Sequence, residues 1–156
     1  MQLPILRMRR DLREPVAAHP WPEGIRPALF TPAQAVEVHA LLALAYAKGG
    51  GKVAPFPEWW AALSGDSEYD PALCFLARTQ DNRIVGVAQC WTGAFIKDLA
   101  VHPDWRRRGV GRALLHQAFQ VFRSRGAVAV ELKVERDNPS GAVRFYEGLG
   151  MSVVPD

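Results

Sequence analysis

Two rhythms of hydrophobic residues alternate along this chain, and the points where one gives way to the other mark its elements. From Gly109 to Arg123, Val110, Leu114, Ala118 and Val121, joined by Leu115, Phe119 and Phe122, form a broad stripe at helical spacing. Val128, Val130, Leu132 and Val134 then alternate with Ala129, Glu131, Lys133 and Glu135, the period of two that predicts a strand. Ala142, Phe145, Tyr146 and Leu149 mark one face of a short helix that Gly150 stops, and "MSVV" predicts a last strand. Upstream, Leu73 to Thr79 and Ile84 to Trp91 are apolar runs separated by "QDNR", a turn composition, so they should pair antiparallel. Ala94 to Val101 adds a third strand to this meander, and His102 and Pro103 end it. Thr31, Pro32 and Gln34 supply the N-cap, first-turn proline and capping-box partner of a helix predicted to run to about Lys48. "FPEWWAALSG" predicts a shorter helix entered through Pro57, and "WPEGIRPALF" a strand ahead of both.

The order of these elements predicts an α+β fold built on one mixed sheet. Residues 1–23 alternate poorly and carry Pro4, Pro15, Pro20 and Pro22, so they are expected to form an N-terminal extension with one strand near Ile5 to Arg9, ahead of a domain over residues 24–156.

Composition narrows the class. A chain of 156 residues supports one ordinary core, and 49% hydrophobic with 22% charged residues excludes disorder and fibrous classes. The net charge is +3, and its 15 arginines outnumber the 4 lysines, but the 16 acidic residues are interleaved with them, which argues against nucleic acid as a partner. Cys74 and Cys90 lie in apolar runs and are expected to be reduced core residues. The short apolar stretch at the N-terminus precedes mixed charge, unlike a signal peptide, and no run approaches the ~20 apolar residues of a membrane span. The expected setting is cytoplasmic, away from membranes. No His, Cys, Asp or Glu cluster has metal-ligand spacing, so no metal is expected.

The stretch "RRRGVGRALL", Arg106 to Leu115, then poses a question of chemistry. Gly109 and Gly111 fall at the first turn of a strong helix, where each costs roughly 1 kcal/mol against alanine. A helix start offers several N–H groups without helical partners, together with the positive end of the helix dipole. With three arginines beside it, such a site favours an anion carrying more than one charged oxygen, and a pyrophosphate is the natural fit. Gly109 would allow a positive φ where the loop turns, and Gly111 would let ligand oxygens approach without meeting a Cβ. The simpler alternative is that the glycines ease a tight turn and the arginines solvate it. GxxxxGK[ST] is absent, and GxGxxG fails because Leu114 stands at its third glycine.

"FIKDLAVHPDWRRRGVGRALL" resembles the acyl-CoA binding signature of the GNAT N-acetyltransferase superfamily, Q/R-x-x-G-x-G/A, here at Arg106, Gly109 and Gly111. "LKVERDNPSGAVRFYEGLGM" resembles the family's second signature, a strand, an asparagine and a helix carrying A-x-x-x-Y-x-x-x-G. Together they cover the chain from about Leu73 onward. The resemblance implies acetyl-CoA as cofactor and a mostly antiparallel sheet, helices on both faces, splayed at a central parallel pair formed by the strands ending at Val101 and running through Leu132. Main-chain groups around Leu99, Ala100 and Val101 would meet the pantetheine arm. The N–H groups of Arg107, Arg108, Gly109, Val110, Gly111 and Arg112 would hold the pyrophosphate, and Asn138 and Ser140 would also touch the cofactor.

Acetyl transfer to an amine needs a neutral amine, a stabilised oxyanion and a proton for the departing thiolate. On periodicity alone Tyr146 is a core tyrosine; the resemblance makes it the general acid. It also places the oxyanion donor at the N–H of Ala100 or Val101. Asp98 and Glu131 lie on the two framing strands, and either can serve as base, directly or through water, or be an ordinary exposed carboxylate. Glu68, Tyr69 and Asp70 with Trp59, Trp60 and Trp91 can line an acceptor wall for a cationic amine, or be core and solvent residues. The expected activity is transfer to a primary amine in a ternary complex, the alternative being a non-catalytic acyl-CoA sensor. A cysteine hydrolase built on Cys90 and His102 has no recognisable nucleophile setting. The chain stops soon after "MSVV", where the family's sheet continues. Either the edge is left shorter, or the residues before Trp21 or a partner subunit complete it, and a homodimer is expected.

Overall fold

The predicted meander forms the middle of a seven-stranded sheet. The computed structural model describes residues 4–48, 51–138 and 141–155. Its strands are β1 (Ile5–Asp11), β2 (Ile25–Leu29), β3 (Cys74–Thr79), β4 (Ile84–Trp91), β5 (Phe95–Val101), β6 (Ala129–Glu135) and β7 (Ser152–Val153), in the spatial order β2-β3-β4-β5-β6-β1-β7. Its helices are α1 (Ala35–Ala45), α2 (Phe56–Ser64), α3 (Val110–Ser124) and α4 (Ala142–Glu147). Among the described residues only β5 and β6 run parallel, joined by the crossover helix α3.

Strands β3 and β4 are buried almost throughout because both sheet faces are covered. Phe75, Ala77, Val85, Ala88, Cys90 and Ile96 meet α3 through Leu114, Leu115, Ala118, Phe119 and Phe122. Cys74, Leu76, Val87 and Ala100 face the other way, onto Val38, Leu41 and Leu42 of α1 and Trp59 and Leu63 of α2. Both cysteines are free and buried, and burial pushes both thiols up, so neither is a ready nucleophile.

The N-terminal residues are part of the sheet. β1 pairs antiparallel with β6 from Ile5↔Glu135 to Asp11↔Ala129, and on its other side with β7 at Met8↔Val153 and Arg9↔Ser152. The segment ahead of Trp21 thus supplies a strand between β6 and β7. Beyond β1 the chain returns along α3. Arg123 Nε donates to the Leu12 carbonyl at 3.1 Å, His19 stacks on His116 with ring centroids 4.3 Å apart, and Pro22 reaches the start of the helix at Gly109.

The helix start at Thr31 forms as its residues predict, with the Thr31 N–H donating to Gln34 Oε1 at 2.7 Å. A short 3-10 turn at Pro32–Gln34 leads into α1. The helix stops at Ala45, before the predicted Lys48, because Tyr46 caps it and turns off the axis. Gln34→Ala leaves the Thr31 N–H without this acceptor and should cost about 1 kcal/mol. A lower urea midpoint with an unchanged m-value would record it.

Candidate active site

The parallel pair is short. β5 and β6 are in register only at Phe95↔Glu131 and Ile96↔Leu132, and from there they part. A bulge causes the change of direction. Gln89 faces Asp98 and Cys90 faces Ile96, so Lys97 is an extra residue with no partner on β4. Such an insertion bends the strand and increases its twist. Beyond it, the His102 N–H donates to the Val85 carbonyl at 2.8 Å, which fixes the alternation of the β4–β5 ladder. Asp98 and Ala100 share the phase of His102 and turn their backbone groups to β4, whereas Leu99 and Val101 turn theirs toward the gap. This corrects the expectation for Ala100: its N–H belongs to the sheet, and Val101 is the residue of that pair that faces the cleft.

Three side chains meet at the gap. Tyr46 Oη donates to Asp98 Oδ1 at 3.0 Å, and the Leu99 amide faces the same phenol oxygen. Burial, then the Asp98 charge, push the Tyr46 hydroxyl well above the usual phenol range. Tyr146, on α4, packs against the α3-side core, and burial followed by the Asp98 charge pushes it up to about 12. Asp98 therefore bears on two protonated phenols, and Lys97 Nζ lies 2.8 Å from its other oxygen, Oδ2. The sequence did not single out Tyr46. It follows an apolar helical stretch with no motif around it, and its pairing with Asp98 spans 52 positions.

Glu131, the second carboxylate considered as base, is held by β1: Arg9 Nε donates to Oε2 at 2.6 Å and Arg7 Nε lies 3.7 Å from Oε1. The acidic loop is engaged as well. Glu68 Oε1 accepts the Gly93 N–H at 2.9 Å, while Asp70 Oδ1 accepts the Ala72 N–H at 2.9 Å and Oδ2 pairs with Arg125 at 3.1 Å. Trp59 is buried against α1, and Trp60 sits edge-on to Tyr69, so this wall is chiefly structural. His102 Nδ1 accepts the Asp104 N–H at 3.1 Å and caps the 3-10 turn at Pro103–Trp105.

At the other end of the gap, α3 begins at Gly109, whose φ of +86° is the left-handed conformation expected there. The first intrahelical bond runs from the Ala113 N–H to the Gly109 carbonyl at 3.1 Å, so the N–H groups of Val110, Gly111 and Arg112 precede any helical acceptor. Gly111 lies in the first turn of α3, beside α4 and β5. A Cβ there would lie 3.4 Å from Phe145 Cζ and 3.6 Å from Val101 Cγ2, ordinary contacts, so the first turn packs there with no crowding at this position. Arg108 lies over the Trp105 ring at 4.8 Å. Arg106 turns away from the loop and donates to the Ala45 carbonyl at 3.1 Å, bracing the end of α1 beside Tyr46. Asn138 lies in the turn after β6, its N–H donating to the Glu135 carbonyl at 3.2 Å. Ser140 is outside the described residues.

A sheet that opens beside a parallel pair, with free amides at the crossover helix and a half-buried tyrosine at the gap, defines the class of acyl-CoA N-acyltransferase folds. The model of the acetyltransferase (GNAT) family matches residues 36–151, and the chain belongs to that family. It is 33% identical to a mycothiol acetyltransferase of Thermobispora bispora over 94% of this chain and 52% of the relative. It is 37% identical over 38% of this chain and 39% of the relative to the [ribosomal protein bS18]-alanine N-acetyltransferase of Escherichia coli. Among solved structures, a GCN5-related N-acetyltransferase from Sphaerobacter thermophilus superposes with a TM-score of 0.83 at 32% identity, over 96% of this chain and 48% of that one. The chain spans about half the length of the mycothiol acetyltransferases it matches. Among the described residues no helix is long and apolar enough to cross a membrane.

Proposed function

We propose that this chain transfers an acetyl group from acetyl-CoA to a primary amine, by direct attack while both are bound. The observation that carries the reading is the gap itself, where β5 leaves β6 after Ile96 and turns the backbone of Leu99 and Val101 toward Asp98 and Tyr146. The residues present fit the coenzyme: unpartnered amides at the start of α3 suit a pyrophosphate, with Arg107, Arg108 and Arg112 adding positive charge. Leu99 and Val101 suit the amides of an extended pantetheine arm, and Asn138, in the turn after β6, is a further candidate contact. Arg106 contributes by bracing α1, not by meeting phosphate.

In this reading the Val101 N–H donates to the oxyanion as the carbonyl carbon becomes tetrahedral. Asp98, whose charge acts on both Tyr46 and Tyr146, accepts the proton of the incoming ammonium, while Glu131 is paired with Arg9 and Arg7 of β1. Tyr146, kept protonated by burial, donates to the departing thiolate. The names of the relatives supply acceptors to try: that of the mycothiol acetyltransferases and the alanine of ribosomal protein bS18.

Calorimetric titration with acetyl-CoA, followed by thiol-release assays over a panel of primary amines, tests the proposal. Binding and release with at least one amine are expected. Binding without release for any amine would favour an acyl-CoA sensor, and no binding by folded protein would overturn both readings.

A further inference from the structure

Lys97 stands where the cleft opens. It is the unpaired bulge residue of β5, one position after the last register pair with β6. Its side chain is 36% exposed, yet its ammonium rests 2.8 Å from Asp98 Oδ2, on a carboxylate whose side chain is only 13% exposed. The other oxygen of that carboxylate is fixed by Tyr46 Oη at 3.0 Å. An ordinary exposed ion pair between sequence neighbours would contribute little and would leave its lysine mobile. Here the anion is held in place and its charge acts on Tyr146, so a tethered primary amine lies beside the carboxylate that the acetyl-transfer reading uses as base.

Resting on that reading, we propose that Lys97 is itself an acceptor and that the protein acetylates Lys97 Nζ. The ammonium gives one proton to Asp98, and the neutral nitrogen attacks the thioester carbonyl. A C–N bond forms, the C–S bond breaks, and the nitrogen loses its second proton to water. The coenzyme thiolate takes the Tyr146 proton, which solvent restores, so the step yields acetyl-lysine, free coenzyme A and one proton. Tethering removes the cost of collecting a second substrate. The acetylated lysine is neutral and no longer holds Asp98 Oδ2, which leaves that oxygen to a separate amine.

The experiment is incubation of the full chain with acetyl-CoA and no other amine, with the acetylated lysine mapped by peptide mass spectrometry over time. Lys48, Lys52 and Lys133 serve as internal controls for uncatalysed acetylation. The expected result is one acetyl group, at Lys97, appearing before any on the other three. Asp98→Asn and Tyr146→Phe should each slow it by at least about tenfold, because each removes a proton-transfer partner. Lys97→Arg should abolish it while calorimetric acetyl-CoA binding persists. If acetyl-CoA binds but Lys97 stays unmodified, is modified no faster than the other lysines, or reacts at an unchanged rate in Asp98→Asn, this proposal fails and the acetyl-transfer reading stands. If acetyl-CoA does not bind the folded chain, both fall.

Discussion

Tyr146→Phe is expected to lower turnover by on the order of 10²-fold, the low end for general acid catalysis, while leaving acetyl-CoA affinity nearly unchanged. The phenylalanine keeps the ring that packs on the α3-side core, so the fold survives and only the proton is lost. A fall in kcat with an unchanged calorimetric Kd is the pattern that separates this role from a structural one. Equal turnover in the two proteins would remove Tyr146 from the chemistry. The pH dependence has a definite sign. Burial raises the phenol to about 12, so the acid form persists through neutral and moderately alkaline pH, and Tyr146 should impose no alkaline decline in turnover until pH approaches that value. The same shift acts on stability. A tyrosine raised above its unfolded value of about 10 loses its contribution only as pH climbs through that value toward the folded one.

The local geometry of the proposed coenzyme side was largely legible in the sequence, and that of the proposed acceptor side was not. The positive φ at Gly109 and the free amides behind it belong to a local event, a helix beginning after a strand, which the run from Val101 to Leu115 records by itself. Alternation likewise placed Val130, Leu132 and Val134 on the α3 face. Arg9, which holds Glu131, and Tyr46, which holds Asp98, lie far from them in the chain. Arg9 reaches Glu131 only because β1 inserts between β6 and β7, and a proline-marked extension gives no local sign of which strand it will join. Tyr46 reaches Asp98 only because α1 ends early, with Arg106 holding its last carbonyl. Each of these depends on pairing across tens of residues, which periodicity does not encode.

Gly109→Val is the complementary test of the coenzyme side, and its effect should fall on binding. The valine Cβ would meet only Pro22 Cγ at 3.5 Å, an ordinary contact, so crowding is not the obstacle. The obstacle is φ at +86°, where an L residue costs roughly 1–2 kcal/mol and a β-branched one is a true outlier. Relief requires the loop to move φ back to negative values, which turns the amides of Val110, Gly111 and Arg112 away from their common direction. Acetyl-CoA affinity should then fall by roughly 5- to 30-fold, the range that a 1–2 kcal/mol loss implies, with circular dichroism showing the fold retained. Asparagine tolerates the left-handed region better than other non-glycine residues, so Gly109→Asn should lose less affinity than Gly109→Ala, and Gly109→Ala less than Gly109→Val. That ranking follows backbone preference, not side-chain size, since asparagine and valine are of similar bulk. A graded loss by size would point instead to a steric block near Pro22, and an unchanged Kd in Gly109→Val would mean that these amides do not hold the coenzyme.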